Sequence, residues 1–122
     1  MPIIDIEIVA SEGFNLREPS VAAIADALGK VLGSPPGRTW VRLRVLSSSA
    51  YAENESSLSE DELPVFATVL HARLPDGEGL VAEVKAITAA VANCLRRNPE
   101  RVHVQYAPAA AGRQAFGGKL VQ

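Results

Sequence analysis

The fold is decided by a stretch that occurs twice, first as VAAIADALGKVLGSPPGRTWV at residues 21–41. A shift of 63 positions aligns it without a gap to VKAITAAVANCLRRNPERVHV at residues 84–104. Eight of the 21 positions are identical, Pro36 with Pro99 among them, and the pattern of elements repeats in the same frame. Each copy reads as an apolar-faced helix, a proline-containing turn and an alternating strand. The chain is therefore an internal duplication.

A further strand is predicted ahead of each helix. Residues 2–9 and 65–74 precede helices at residues 21–32 and 80–97, and strands at residues 39–46 and 102–106 follow them. Two strand–helix–strand units predict an α+β fold, because each unit normally forms a right-handed parallel crossover. The expected product is a four-stranded mixed sheet with both helices on one face.

The ends of the helices carry recognisable signals. Asn15 and Glu18 have the spacing of a capping box, and Pro19 falls in the first turn, where its missing N–H costs nothing. The run Gly-Ser-Pro-Pro-Gly at residues 33–37 ends the first helix, and Asn-Pro at residues 98–99 ends the second.

One face of the predicted sheet is left without a helix. Alternation places Trp40, Arg42 and Arg44 on that face, and the duplicate frame adds His103 and Gln105. An exposed face that carries tryptophan and arginine predicts a binding surface, an oligomer interface or both.

Length and composition predict one cytoplasmic domain covering residues 1–122. Its parts are repeats at about 2–46 and 65–108, a solvated acidic loop at 47–64 and a C-terminal hairpin at 109–122. The net charge of −2 argues against nucleic acid as a partner. No apolar run has the roughly 20 residues that span a bilayer, and no secretory signal precedes the first strand. A lone cysteine, Cys94, fits a reducing compartment and is expected to be a small core residue.

Pro2 stands at the head of the first strand. If Met1 is removed, the ring nitrogen of Pro2 becomes a free secondary amine. An α-amino group has a pKa of roughly 7.7–8.0, and burial in an apolar pocket lowers it further. Such an amine can act as a neutral base at physiological pH.

Four segments, in this order behind Pro2, resemble the tautomerase superfamily. They are Gly-Ser-Pro-Pro at 33–36, Val-Leu-His-Ala-Arg at 69–73, Asn-Pro-Glu-Arg-Val-His-Val-Gln-Tyr at 98–106 and Gly-Arg-Gln-Ala-Phe-Gly-Gly at 112–118. That group contains 4-oxalocrotonate tautomerase (4-OT), macrophage migration inhibitory factor and the 3-chloroacrylic acid dehalogenases. The resemblance covers nearly the whole chain and is closest to the duplicated members.

The resemblance implies a homotrimer with active sites at subunit interfaces and a small carboxylate substrate. Pro2 would be the general base, and neither a cofactor nor a metal would be needed. His103 would supply a second catalytic group, as an acid or as a hydrogen-bond donor. The implied substrate-binding residues are Arg42, Arg73, Gln105 and Phe116, with Tyr51 at the pocket rim.

Several positions depart from the family pattern. Ser34 stands where the cytokine-like members have a lysine, and Arg17 is displaced from the arginine that follows the first strand in the small members. The general acid is therefore open. His71 is expected to be an interface or channel residue rather than a catalyst.

Three alternatives to a tautomerase stay open. One is hydratase or dehalogenase chemistry in the same superfamily, and another is a tautomerase fold that has lost catalysis. The third is a non-enzymatic ferredoxin-like binding module, which has the same order of elements. Strand pairing discriminates, since parallel pairing within each half favours the tautomerase fold and antiparallel pairing favours the ferredoxin-like one.

Overall fold

The computed structural model describes residues 2–15 and 21–122. Two α-helices lie against a four-stranded sheet, and a two-stranded hairpin follows near the C-terminus. The elements are β1 (Ile3–Ala10), α1 (Val21–Val31), β2 (Trp40–Ser47), β3 (Val65–Leu70), α2 (Gly77–Leu95), β4 (Val102–Tyr106), β5 (Ala115–Phe116) and β6 (Lys119–Leu120), with 3-10 turns at Ser48–Ala50, Glu60–Glu62 and Pro99–Arg101.

The sheet is mixed, in the order β2-β1-β3-β4. Within each half the strands are parallel, and β1 and β3 pair antiparallel at the centre. This is the pairing that excludes a ferredoxin-like arrangement, and it confirms the predicted sheet.

The duplication is visible in the register of the strands. Ile3 pairs with Trp40 in the first half, and Phe66 pairs with His103 in the second. Each member of the second pair lies 63 residues after its counterpart, which is the shift found in the sequence. The two halves therefore repeat in backbone pairing as well as in pattern.

The core lies between the sheet and the two helices. Alternate residues of β1 and β3 point into it, and α1 and α2 cover them. Burial of these aliphatic side chains is the main force that holds the layers together. Its fully buried members include Ile4, Ile6, Ile8, Ile24, Leu28, Val65, Val69, Ile87 and Val91. Cys94 packs at the edge of this cluster, as predicted.

Several element boundaries differ from the prediction. β3 ends at Leu70 rather than at residue 74, because its partner β1 runs out: Ile3 is the last residue paired with it. α2 begins at Gly77, three residues early, and ends at Leu95, where Arg96 takes a left-handed conformation with φ 54°. Of the predicted cap of α1, Glu18 and Pro19 lie outside the described residues.

The segment at residues 47–64 is more ordered in its contacts than a solvated loop. Leu63 and Pro64 are buried at its end. The Arg101 guanidinium donates to the Glu62 carbonyl at 2.5 Å and forms an ion pair with Glu53, also at 2.5 Å. The rest of the segment is exposed or partly exposed, so it is a loop that Glu53 and Glu62 tie to Arg101.

Candidate functional site

The face of the sheet opposite the helices carries two rows of polar and aromatic side chains. β2 contributes two arginines and β1 contributes two acidic residues. β3 and β4 contribute two residues each. Cross-strand pairing sets the rows as Arg42, Asp5, Thr68, Gln105 and as Arg44, Glu7, Phe66, His103. We call these eight residues the open face. Sequence alternation predicted its Arg42, Arg44, His103 and Gln105 correctly.

Arg42 lies on the open face but is already paired. Its guanidinium donates twice to Asp5, with Nε–Oδ1 2.5 Å and Nη2–Oδ2 2.8 Å. The hydrogen bond from Arg42 holds the pKa of the Asp5 carboxyl below its usual range. The arginine side chain is 65% exposed and the aspartate 25%. A substrate carboxylate at Arg42 would therefore compete with Asp5 or share the guanidinium with it.

The Asp5–Arg42 pair predicts an acid-side stability effect. Because the pKa of Asp5 is depressed in the folded chain, its contribution is present above the unfolded value of about 3.9 and is lost as the pH falls through the folded value. Asp5→Asn should remove this part of the pH dependence. The measurement is the urea midpoint from pH 7 to pH 2.5 at low and high salt. The difference from wild type should shrink at high salt, because the pair is largely exposed.

A groove of about 330 Å³ runs over the open face. Tyr51 borders it from the acidic segment, and its ring lies 5.9 Å from that of Phe66, which lies 5.6 Å from the His103 imidazole. The Tyr51 hydroxyl donates to Glu53, and that hydrogen bond raises the pKa of the phenol. Tyr51 thus stands at the rim of a groove, as expected, with its hydroxyl directed to a carboxylate held by Arg101.

Phe116 reaches the edge of the open face from the C-terminal hairpin. Its ring meets Trp40 edge-on, with centroids 5.1 Å apart. The turn behind it is Gly117-Gly118, both at positive φ, which allows the chain to reverse between β5 and β6. The predicted aromatic wall therefore sits on Trp40, a residue that is itself 47% exposed.

Pro2 lies elsewhere. It is buried, and its carbonyl accepts from the Trp40 backbone N–H at 3.0 Å, so it extends the pairing of β1 with β2. Alternation puts Pro2 on the same side as Ile4, under the helices, whereas Arg42 and His103 are on the open face. One chain by itself does not bring Pro2 together with these residues.

Arg73 is not at a strand end. β3 stops at Leu70, and Arg73 is exposed in the bend that follows. The backbone after the strand bonds instead to the segment behind β4, where the Ala110 N–H donates to the His71 carbonyl at 2.8 Å. The prediction that placed Arg73 on the third strand was wrong.

A hydrogen-bonded cluster that was not predicted from the sequence lies beneath the helices. His71 Nε2 lies 2.9 Å from Glu83 Oε2, and the Tyr106 hydroxyl donates to the same oxygen at 2.8 Å. The His71 and Tyr106 rings stack at 6.1 Å. The sequence does indicate one member of this cluster. Glu83 stands three residues after Leu80 and four before Ile87, which places a charged residue on the inward face of its helix.

The described residues hold neither a metal-ligand group nor a membrane-spanning helix. In residues 2–15 and 21–122, no three His, Cys, Asp or Glu side chains are grouped to hold a metal ion. Over the same ranges, neither helix has both the length and the apolarity of a membrane span.

Comparison with known proteins finds similarity in structure. No protein-family model matches the chain, and no curated protein matches its sequence. A fused 4-OT, a wild-type symmetric trimer, has 15% identity and a TM-score of 0.74 over 98% of this chain and 94% of its own. The macrophage migration inhibitory factor of Oncomelania hupensis has 22% identity and a TM-score of 0.73 over 100% and 83%. Pt0534 inactivated by 2-oxo-3-pentynoate has 16% identity and a TM-score of 0.75 over 98% and 94%.

These structures define the class of fold. The paired strand–helix–strand units and the mixed four-stranded sheet are shared with these structures, and the match extends over almost the full chain. The chain has the tautomerase, or macrophage migration inhibitory factor-like, fold.

Proposed function

We propose that the chain is a cofactor-independent tautomerase that moves a proton between carbon and oxygen of a small 2-oxo or 2-hydroxy-unsaturated carboxylic acid. The Pro2 amine, free after removal of Met1, is the general base. The observation that carries this proposal is the burial of Pro2 at the head of β1 in a tautomerase-superfamily fold. Burial disfavours the ammonium form and so keeps the amine available as a base.

The proposed site forms between subunits of a homotrimer. Pro2 and the open face lie on opposite sides of one sheet, so a neighbouring subunit must supply open-face residues to the base. In this arrangement Arg42 and Gln105 bind the substrate carboxylate, and Phe116 forms an apolar wall. The fused 4-OT of the same fold is a symmetric trimer, which supports this assembly. Arg73, exposed beyond β3, is a further carboxylate ligand in the proposal.

The base can be identified by covalent labelling. An amine adds across a conjugated alkyne and expels nothing, so 2-oxo-3-pentynoate should add its whole mass to the chain. Intact mass before treatment establishes whether Met1 is absent, and peptide mapping afterwards should place the adduct on Pro2. Loss of phenylenolpyruvate ketonisation should follow the extent of labelling.

The same samples separate the alternatives. Sedimentation velocity should give the mass of three chains. Chloride release from 3-chloroacrylate without ketonisation would favour a dehalogenase of the same fold. A chain that lacks Met1 and yet neither ketonises 2-hydroxymuconate or phenylenolpyruvate nor reacts at Pro2 would contradict the proposal.

A further inference from the structure

The cluster of His71, Glu83 and Tyr106 has the chemistry of an oriented acid–base group. An ionised carboxylate only accepts hydrogen bonds, so with Glu83 ionised the His71 Nε2 must carry the hydrogen between them. The Tyr106 hydroxyl is the second donor to that carboxylate. Burial is the larger cause of a raised pKa of the phenol, and this hydrogen bond is the next. Tyr106 therefore remains a donor throughout the neutral range.

The other ring nitrogen of His71, Nδ1, is available to a substrate. Within the described parts of the chain, Nδ1 of His71 has no hydrogen-bond partner. The side chains of His71 and Glu83 are only 14% and 15% exposed, so the pair is largely shielded from water. A histidine fixed through Nε2 to a carboxylate presents Nδ1 for proton exchange, and the carboxylate stabilises the imidazolium when Nδ1 is protonated.

The sheet register brings this histidine to Pro2. The last residues paired between β1 and β3 are Ile3 and Leu70, and one further step in the same register sets Pro2 opposite His71. At the other end of these strands the register does continue one step, since the Val9 N–H donates to the Pro64 carbonyl at 3.1 Å. Residues directly opposite across antiparallel strands have Cβ atoms about 4.5–5.5 Å apart.

Both residues also lie on the same side of the sheet. Pro2 follows the alternation of Ile4, and His71 that of Val69, and these two buried residues pair with each other beneath the helices. His103 lies on the open face instead. In one subunit, His71 is therefore the histidine next to the proposed base.

We propose that His71 is the second acid–base residue of the Pro2 site, with Glu83 as the residue that positions it. This inference rests on the proposed tautomerase function. In enolisation the Pro2 nitrogen takes a proton from the carbon beside the carbonyl, and the C–H electron pair forms the C=C bond. The carbonyl π pair takes the proton from Nδ1 of His71, which becomes neutral. Ketonisation is the reverse. A proton transfer from Pro2 to His71 restores the starting pair after enolisation, and a transfer from His71 to Pro2 restores it after ketonisation.

The test is the pH profile of ketonisation in four proteins: wild type, His71→Asn, Glu83→Gln and Glu78→Gln. Pro2 and His71 share a proton, so kcat/KM in wild type should show two limbs, which belong to the coupled pair. Among the residues that the structure describes, the other ionisable groups facing His71 are Glu83 from α2 and Tyr106 from β4, and Arg73 follows it in the exposed bend. His71→Asn should lower kcat roughly 10²-fold or more and leave one limb.

The two glutamate variants distinguish the contact of Glu83 with His71 from the general loss of one negative charge on α2. Glu83→Gln should move one limb to lower pH, because the imidazolium loses its carboxylate. Glu78→Gln, exposed in the first turn of the same helix, should leave both limbs in place. If His71→Asn does not fold, as judged by circular dichroism, the limb shift in Glu83→Gln decides in its place.

Labelling by 2-oxo-3-pentynoate makes the two proposals fail differently. If Pro2 is labelled and Pro2→Ala loses most of its activity, but His71→Asn keeps wild-type kcat and both limbs, the role of His71 is overturned while the function stands. The same holds if His103→Asn removes the limb instead. If Pro2 is neither labelled nor required for turnover, the proposed function itself fails.

Discussion

Replacing Pro2 by alanine should lower kcat/KM for ketonisation by roughly 10²-fold, the lower end of the 10²–10⁴-fold range for a positioned general base. The loss should not be complete, because processing of the variant leaves a primary α-amine at the same place. What disappears is the ring that holds the lone pair in one direction beneath the helices. Steady-state kinetics on phenylenolpyruvate measures the effect, with thermal unfolding as the check on folding.

A second change separates the amine from the ring. A chain extended by Gly-Ser ahead of Pro2 keeps the proline but converts its nitrogen to an amide, which has no basic lone pair. Activity should then fall to background, below that of Pro2→Ala. Wild-type turnover in either variant, at unchanged unfolding temperature, would show that Pro2 is not the base.

The topology was predictable because it depends on patterns along the chain. The shift of 63 residues fixed the number and order of strands and helices, and the paired units were confirmed in register by Ile3 with Trp40 and Phe66 with His103. Alternation assigned Trp40, Arg42 and Arg44 to the exposed side of β2. Such period-2 patterns survive folding because one sheet face must be buried.

The site was less predictable because its pairs join distant segments. Asp5 meets Arg42 only because β1 lies beside β2 in one particular register, which neither strand encodes alone. The end of β3 has a similar origin. Leu70 is the last residue of the ladder because its partner, Ile3, is the first residue of β1.

The cluster of His71, Glu83 and Tyr106 was also not predictable, because its side chains come from distant segments. His71 follows β3, Glu83 lies in the middle of α2 and Tyr106 ends β4. Their common point, Glu83 Oε2, exists only when all three elements are packed. The position of Glu83 on the inward face of its helix indicates one member of the cluster, but the sequence does not predict that His71 and Tyr106 bind it.

The packing of α2 on the sheet should dominate stability, and Ile87→Ala tests it. Ile87 is fully buried in the core, so the substitution removes apolar contacts and leaves a cavity that the sheet cannot fill. We expect the free energy of unfolding to fall by about 2–5 kcal/mol. Urea unfolding followed by circular dichroism measures it, at one fixed protein concentration because association would add to the apparent stability.

Val81→Ala on the same helix is the matched control. Val81 is 53% exposed, so its loss should change the free energy of unfolding by no more than about 0.5 kcal/mol. The contrast follows mainly from burial, since both changes shorten a β-branched residue in α2 to alanine and gain helix propensity, and Ile87→Ala removes one carbon more. Equal effects in the two variants would mean that α2 does not bury Ile87 against the sheet.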